Sequence, residues 1–146
     1  MADEKPWLSL YPKGVPANID ADAYPTLTAM LDETFKKFKH RPAFSCMGKT
    51  LTFAEVDQLS TQFGAYLHSR GLQPGDRIAL MMPNLAQYPI ALFGALRAGL
   101  VIVNTNPLYT PREMLHQFND SGAKAIIIAE NFASNLEKIL SQTQIK

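Results

Sequence analysis

Apolar residues recur at helical spacing after the first 25 residues of the chain. From Thr26 onward they fall three or four positions apart, and lysines crowd the far end of the run, where cations suit the helix dipole. The apolar positions are Leu27, Met30, Leu31, Phe35 and Phe38. Because the residue before a proline avoids helical backbone, we expect this first helix to end before Pro42.

A short hairpin and a capped helix are predicted next. Residues 43–47 and 50–53 have the composition of two short strands, with a Gly48-Lys49 turn between them. Thr52 and Glu55 have the spacing of a capping box, so the helix begins there and ends near a glycine at position 71. The predicted buried face of this helix consists of Val56, Leu59, Phe63, Tyr66 and Leu67.

The remainder of the chain alternates strands with helices. Residues 76–82 are apolar after the first two positions, which is typical of a strand covered on both faces. A second buried strand is predicted at 100–104 and a third strand at 125–129, with helices at 87–98, 110–119 and 132–140. Because such helices form crossover connections, the pattern predicts an α/β fold: part of a doubly wound parallel sheet with flanking helices.

The two ends of the chain depart from this alternation. Residues 1–25 contain four prolines with apolar side chains between them, which predicts an irregular arm ahead of an α/β domain over 26–146. We expect Trp7 and Tyr11 of the arm to pack on the protein. Residues 144–146 resemble the start of another strand, with a frayed polar tail as the alternative. We favour the strand, and with it a chain that continues in a longer parent.

Composition narrows the class of protein. Apolar residues make up 47% of the chain and charged residues 18%, which argues against disorder. The formal net charge is +1 and like charges form no long run, so nucleic acid is not expected as a partner. The start of the chain leads into no apolar run, and the stretch 88–103 is interrupted by an arginine and two glycines. Neither a secretory signal nor a membrane span is predicted, and one unpaired cysteine fits a soluble protein of the cytoplasm.

Few residue patterns point to chemistry. Gly94 and Gly99 have the glycine spacing of a phosphate loop, but no Lys-Ser/Thr pair follows, so we expect helix packing at the first and a helix cap at the second. Cys46 has no evident base and is expected to be a buried structural thiol. Asp76 is expected to be a turn residue. The histidines are expected on the surface, at His40, His68 and His116.

The carboxyl ends of the predicted strands offer the best surface for a ligand. In open α/β sheets ligands gather at that edge. The loops 83–85 and 104–109 follow two strands, are polar and are stiffened by prolines. The candidate pocket-side residues are Asn84, Asn106 and Tyr109. An asparagine in such a turn more often bonds to the backbone than to a substrate, and both roles are left open.

Several stretches resemble the adenylate-forming superfamily. Residues 51–56 are similar to its first core motif, L-[ST]-[YF]-x-E-L. Residues 96–104 are similar to its second, [LK]-x-A-G-x-x-x-V-P, with Asn104 standing where many members have proline. Within the superfamily, residues 79–89 and 103–113 resemble the bacterial long-chain fatty acyl-CoA synthetases, and the likeness extends over about residues 7 to 143.

The resemblance implies that a longer parent protein is a ligase. In that reaction a fatty acid carboxylate attacks the α-phosphate of ATP with Mg²⁺, and the CoA thiolate then displaces AMP from the acyl-adenylate. The family's phosphate loop, its Thr-Glu pair that contacts Mg²⁺, its ribose aspartate and its mobile lysine lie downstream, and none maps onto residues 1–146. The resemblance therefore implies an inactive amino-terminal fragment that binds neither ATP, Mg²⁺ nor CoA and has no catalytic, cofactor-binding or metal-binding residue.

Two other interpretations stay open. The chain could be a stand-alone acyl-binding or CoA-binding module derived from that family. It could also be a self-associating domain whose arm and open sheet edge form a homodimer. Peripheral association of the parent with the inner membrane is left open as well, as is the acyl chain length.

Overall fold

The computed structural model describes residues 5–146, so the first four residues of the predicted arm lie outside the described part. Within it the chain forms five strands and five α-helices. The strands are β1 (Pro42–Cys46), β2 (Lys49–Thr52), β3 (Arg77–Met81), β4 (Val101–Asn104) and β5 (Ala125–Ile128). The helices are α1 (Leu27–Phe38), α2 (Phe53–Ser69), α3 (Gln87–Arg97), α4 (Pro111–Ser121) and α5 (Ala133–Glu137). Among these helices none is long and apolar enough to span a bilayer.

The last three strands form the predicted parallel sheet, in the order β4–β3–β5. Ile78 of β3 pairs with Ile102 of β4 on one side and with Ala125 of β5 on the other. The α/β fold with a parallel sheet is therefore confirmed. The expected burial of β4 is wrong in part, because this strand lies at an edge of the described sheet and Val101 is 48% exposed.

Helices cover both faces of this sheet, as a doubly wound fold requires. Side chains alternate along a strand, so neighbouring residues of β3 face opposite ways. Ile78 and Leu80 face the side on which α2 and α3 pack. Ala79 and Met81 face the other side, where they contact Met114 of α4. These four residues of β3 are all buried, which makes β3 the centre of the core.

α2 and α3 approach each other closely where two glycines meet. A Cβ atom on Gly64 would lie 2.9 Å from the carbonyl oxygen of Gly94, so the expected packing role of Gly94 is confirmed. The predicted buried face of α2 is wrong in part, since Leu59 and Tyr66 are exposed. Backbones this close leave no room for large side chains between them. The buried residues of α2 are Val56, Ser60, Gly64 and Leu67.

The hairpin forms as predicted. β1 and β2 are antiparallel, and the turn between them has Met47 and Gly48 at φ angles of 49° and 79°, one residue earlier than the predicted turn. The capping box also forms. The Thr52 hydroxyl accepts a hydrogen bond from the Glu55 N–H at 3.2 Å, and the Glu55 carboxylate accepts one from the Thr52 N–H at 2.7 Å. α1 begins at a threonine cap as well, at Thr26.

The carboxyl-terminal part departs from the prediction. Instead of a helix over 132–140, the chain forms the five-residue α5 flanked by 3-10 turns. No side chain caps its start, and Ile139 leaves helical backbone at a φ of −123° with its side chain buried in the core. The expected strand is not seen, since the described residues 144–146 form none. There the Lys146 N–H donates to the Lys124 carbonyl oxygen at 3.1 Å.

The arm is irregular apart from a short 3-10 helix at Pro6–Leu10. Its described backbone hydrogen bonds close local turns. The expectation that Trp7 and Tyr11 pack on the protein is wrong in large part, since these side chains are 52% and 42% exposed. Leu10 and Ile19 are more exposed still. The arm therefore presents an apolar surface.

Candidate functional site

The carboxyl ends of β3 and β4 lie side by side, because the two strands are parallel and paired. Their ladder extends one step beyond the strands, where the Thr105 N–H donates to the Leu80 carbonyl oxygen at 3.0 Å. The buried Thr105 hydroxyl donates to the Val103 carbonyl oxygen at 3.2 Å. The chain leaving β4 is therefore fixed at its first residue, and residues 106–110 then cross the edge at which α/β folds bind ligands.

Three elements meet at Asn104, the last residue of β4. The hydroxyl of Tyr88, in the first turn of α3, donates to the Asn104 Oδ1 at 2.6 Å. The Nε2 of Gln117, in α4, donates to the Asn104 carbonyl oxygen at 3.1 Å. Sequence reasoning marked Asn104 only as a departure from a motif. It missed this meeting point because neither partner is close to Asn104 in the chain.

The loop from β4 to α4 is built from local hydrogen bonds. The Asn106 side-chain oxygen accepts from the Leu108 N–H at 3.0 Å, and the Asn106 carbonyl oxygen accepts from the Tyr109 N–H at 3.0 Å. Thr110 then caps α4 in the predicted capping box with Glu113. The hydrogen bond from the Thr110 hydroxyl lowers the pKa of Glu113, and the Thr110 N–H adds to this. Asn106 thus bonds to the backbone, and its contact with a substrate stays a prediction.

A small cavity of about 340 Å³ lies between the hairpin and the loop that follows β3. Asn84 and Tyr88 line it, together with Cys46. The prediction that Cys46 is a buried thiol is wrong in part, because the residue is only half-buried, in a strand that borders this cavity. The other large lining side chains are apolar: Phe44, Leu85, Leu92 and Phe93. The cavity is therefore an apolar pocket with one asparagine and one tyrosine in its wall.

The three predicted pocket-side residues do not share a cavity. Asn84 lines the small cavity, on the α3 side of the sheet. Tyr109 packs against the core on the opposite face. Asn106 is exposed at the edge between them. Their role at a ligand site stays a prediction.

A wider groove of about 960 Å³ lies beside β5 and the end of α2, towards the amino ends of the strands. Asp76 at its rim is a turn residue, as expected. Its carboxylate accepts from the Gln73 N–H at 3.0 Å and pairs with the Lys124 Nζ at 2.6 Å. The hydrogen bond from Lys124 lowers the pKa of Asp76. This carboxylate therefore stabilises the fold at the edge opposite to the candidate ligand loops.

Arg97, from the second core motif, is bound within the fold. Its Nη2 contacts the carboxylates of Asp32 at 2.8 Å and Asp57 at 2.6 Å. The guanidinium also bonds to the Thr61 hydroxyl and lies over the Phe35 ring, 5.2 Å from its centroid. These contacts join α1, α2 and α3. Arg97, at a variable position of the motif, is thus a structural residue in this chain.

The two glycines with phosphate-loop spacing are both used within the fold. Gly94 is closed off by α2, and Gly99 ends α3 at a φ of 74°, with its carbonyl oxygen bonded to the Gly75 N–H at 2.8 Å. Within residues 5–146 no group of three or more His, Cys, Asp or Glu side chains could hold a metal ion. The histidines are exposed, as expected. The glycines therefore serve helix packing and turns.

The sequence of this chain is similar to those of known proteins. Residues 31–146 match the family described as AMP-binding enzyme. The long-chain-fatty-acid–CoA ligase of Yersinia pestis is 55% identical over 144 residues, which are 98% of this chain and 26% of that protein. The chain therefore spans about a quarter of the length of the curated relatives it matches.

Solved structures show the same fold. A long-chain-fatty-acid–CoA ligase from Archaeoglobus fulgidus superposes with a TM-score of 0.81 at 23% identity, over 93% of this chain and 29% of that one. A benzoate CoA ligase from Burkholderia xenovorans gives a TM-score of 0.76 at 27% identity, over 82% of this chain and 24% of that one. The resemblance carried by the sequence motifs is confirmed, and the chain belongs to the family of AMP-binding enzymes.

Proposed function

We propose that this chain is the amino-terminal part of a ligase that activates long-chain fatty acids with ATP and transfers the acyl group to CoA. The 55% identity to the Yersinia pestis ligase over 144 residues is the observation that carries the proposal. The run Asn-Pro-Leu-Tyr-Thr-Pro-Arg-Glu, residues 106–113, supports it further, because it resembles the bacterial long-chain fatty acyl-CoA synthetases. It forms the loop and helix start at the carboxyl edge of the sheet.

Within such a ligase the chain supplies a scaffold and one wall of the substrate site. ATP, Mg²⁺ and CoA would be handled by residues beyond position 146, and the isolated chain is expected to bind none of them and to be inactive. The carboxylates with lowered pKa support this division of roles. Glu55 and Glu113 cap helices, and Asp76 pairs with Lys124. These side chains are therefore committed to the fold.

The test uses the complete protein that contains this chain. With ATP, Mg²⁺ and CoA it should convert long-chain fatty acids into acyl-CoA and release AMP, and it should act poorly on short or aromatic acids. A preference for aromatic acids would contradict the proposed substrate class. ATP–pyrophosphate exchange by the 146-residue chain alone would contradict the assignment of catalysis to the remainder. Saturable binding of fatty acid or CoA to that chain would instead favour a stand-alone binding module.

Self-association through the arm is a second function that a specific observation favours. Leu10 and Ile19 are 82% and 87% exposed, and Trp7 and Tyr11 are about half exposed. We propose that these side chains hold a homodimer in the cytoplasm, with peripheral binding to the inner membrane as the alternative. Sedimentation should show a dimer that Trp7→Ala with Tyr11→Ala dissociates. A monomer at every concentration that binds lipid vesicles would support the membrane instead.

A further inference from the structure

We infer that Tyr88 and Asn104 are positioning residues for the ligase reaction, because they hold the two carboxyl-end loops in one fixed arrangement. The inference rests on the proposed function. It starts from their 2.6 Å hydrogen bond, which joins α3 to the end of β4. This bond belongs to neither the strand ladder nor a helix cap. It therefore sets the position of one loop relative to the other.

Tyr88 connects the loop after β3 with the end of β4. Its backbone N–H donates to the Leu85 carbonyl oxygen at 3.0 Å, and both residues line the small cavity. Its hydroxyl reaches Asn104, whose neighbour Thr105 begins the loop towards α4. A shift of either loop would break the Tyr88–Asn104 bond. The cavity wall and the β4 loop are thus coupled through one side chain.

Gln117 fixes Asn104 from the opposite face of the sheet. The Gln117 Nε2 donates to the Asn104 carbonyl oxygen at 3.1 Å, whereas the Gln117 Oε1 is buried and has no hydrogen-bond partner among residues 5–146. Turning the amide over would place oxygen against oxygen and leave the nitrogen unpaired. An unpaired buried acceptor is unfavourable, so the bond to Asn104 is what holds this amide in place.

The residue type at position 104 decides whether this contact can form. The second core motif has proline at the corresponding position in many members of the superfamily, and a proline side chain accepts no hydrogen bond. With proline there, Tyr88 would lose its partner. Asn104 therefore replaces a stiff ring with a directional contact to α3. Small displacements of groups that border a reaction site can lower reaction rates strongly, so loss of this contact should slow the reaction.

The test removes one hydrogen-bonding group at a time from the complete ligase. Tyr88→Phe deletes the donor, Asn104→Leu deletes the acceptor, and Asn104→Asp keeps an acceptor oxygen. Tyr66→Phe is the matched control, because Tyr66 is 54% exposed and lines the groove towards the other end of the sheet. Steady-state kinetics with a long-chain fatty acid are measured for each variant, together with the midpoint of thermal unfolding.

We expect Tyr88→Phe and Asn104→Leu each to lower kcat by about tenfold with an unchanged KM for ATP, and the double variant to be no slower than either. Asn104→Asp should recover most of the rate, and Tyr66→Phe should match the wild type.

Unchanged kcat in both Tyr88→Phe and Asn104→Leu, or an equal loss in the Tyr66→Phe control, would overturn the inference. If Asn104→Leu does not fold, the kcat values of Tyr88→Phe and Asn104→Asp test the inference instead. An inactive wild type refutes the proposed function, whereas an active wild type with unaffected variants refutes the positioning role alone.

Discussion

Gly94 is the position at which adding a single methyl group should be most damaging to the fold. In Gly94→Ala the new carbon would lie 2.8 Å from the Ser60 carbonyl oxygen and 2.9 Å from Cδ1 of Phe63. The Ser60 oxygen belongs to the backbone of α2, so it cannot move unless the helix moves. The Phe63 ring packs against the core between the sheet and these helices. Neither the Ser60 oxygen nor the Phe63 ring can therefore move away without a loss of stability.

Two effects of Gly94→Ala oppose each other. Alanine favours a helix over glycine by about 1 kcal/mol. Overpacking a core costs about 1–3 kcal/mol, and a collision with backbone belongs at or above the upper end of that range. We therefore expect the free energy of unfolding to fall by about 2 kcal/mol, which lowers the midpoint of thermal unfolding by about 4–8 °C in a chain of this length.

Urea unfolding followed by circular dichroism measures the change. Gly64→Ala probes the same contact from the other helix, since its carbon would lie 2.9 Å from the Gly94 carbonyl oxygen, and it should lose a similar amount. Gln62→Ala, on the exposed side of α2, is the control and should change stability by less than about 0.5 kcal/mol. A Gly94→Ala protein as stable as the wild type would refute the close approach of the two helices.

Three further changes test other contacts in the same urea titration. Arg97→Lys keeps the charge but loses the forked donor that reaches Asp32 and Asp57, so it should lower the free energy of unfolding by about 1 kcal/mol, and equal stability would contradict the network. Thr110→Ala removes the α4 cap and should lower the free energy of unfolding by about 1 kcal/mol, whereas Thr110→Ser should retain most of the stability. The folded-state pKa of Glu113 lies below its unfolded value, so its contribution to stability is fully present above the unfolded pKa and is lost as pH falls through the lower folded pKa. Glu113→Gln should therefore lose less stability than the wild type on acidification, and parallel pH profiles would contradict this.

Local signals predicted the fold well, because they need only a few neighbouring residues. The Thr52–Glu55 and Thr110–Glu113 capping boxes both form, since each places its hydrogen-bonding groups within one helical turn. The order of the strands in the sheet could not be predicted from such local signals. Val101 was expected to be buried because its strand is apolar, but crossover connections put that strand at an edge of the described sheet. Burial there depends on topology, which the strand's own residues do not encode.

The candidate site was predicted only as a region. Polar loops after two parallel strands identified the carboxyl edge, and Asn106 was recognisable as a turn residue. The meeting of Tyr88 and Gln117 at Asn104 was not, because it depends on how two helices lie across opposite faces of one strand. The predicted buried face of α2 was wrong in part for a related reason. Gly64 faces inward only because Gly94 lies opposite, and neither residue signals the other in the sequence.

The central position of β3 has a consequence for the way the chain is synthesised. Both of its partners, β4 and β5, lie later in the chain, so the ribosome releases the most buried strand of the sheet before either partner can pair with it. Until Ile128 has emerged, an unpaired edge of Ile78–Met81 is available to other nascent chains. Slow translation between Val101 and Ala125 should therefore raise the yield of aggregate, and a holdase chaperone bound near β3 should lower it.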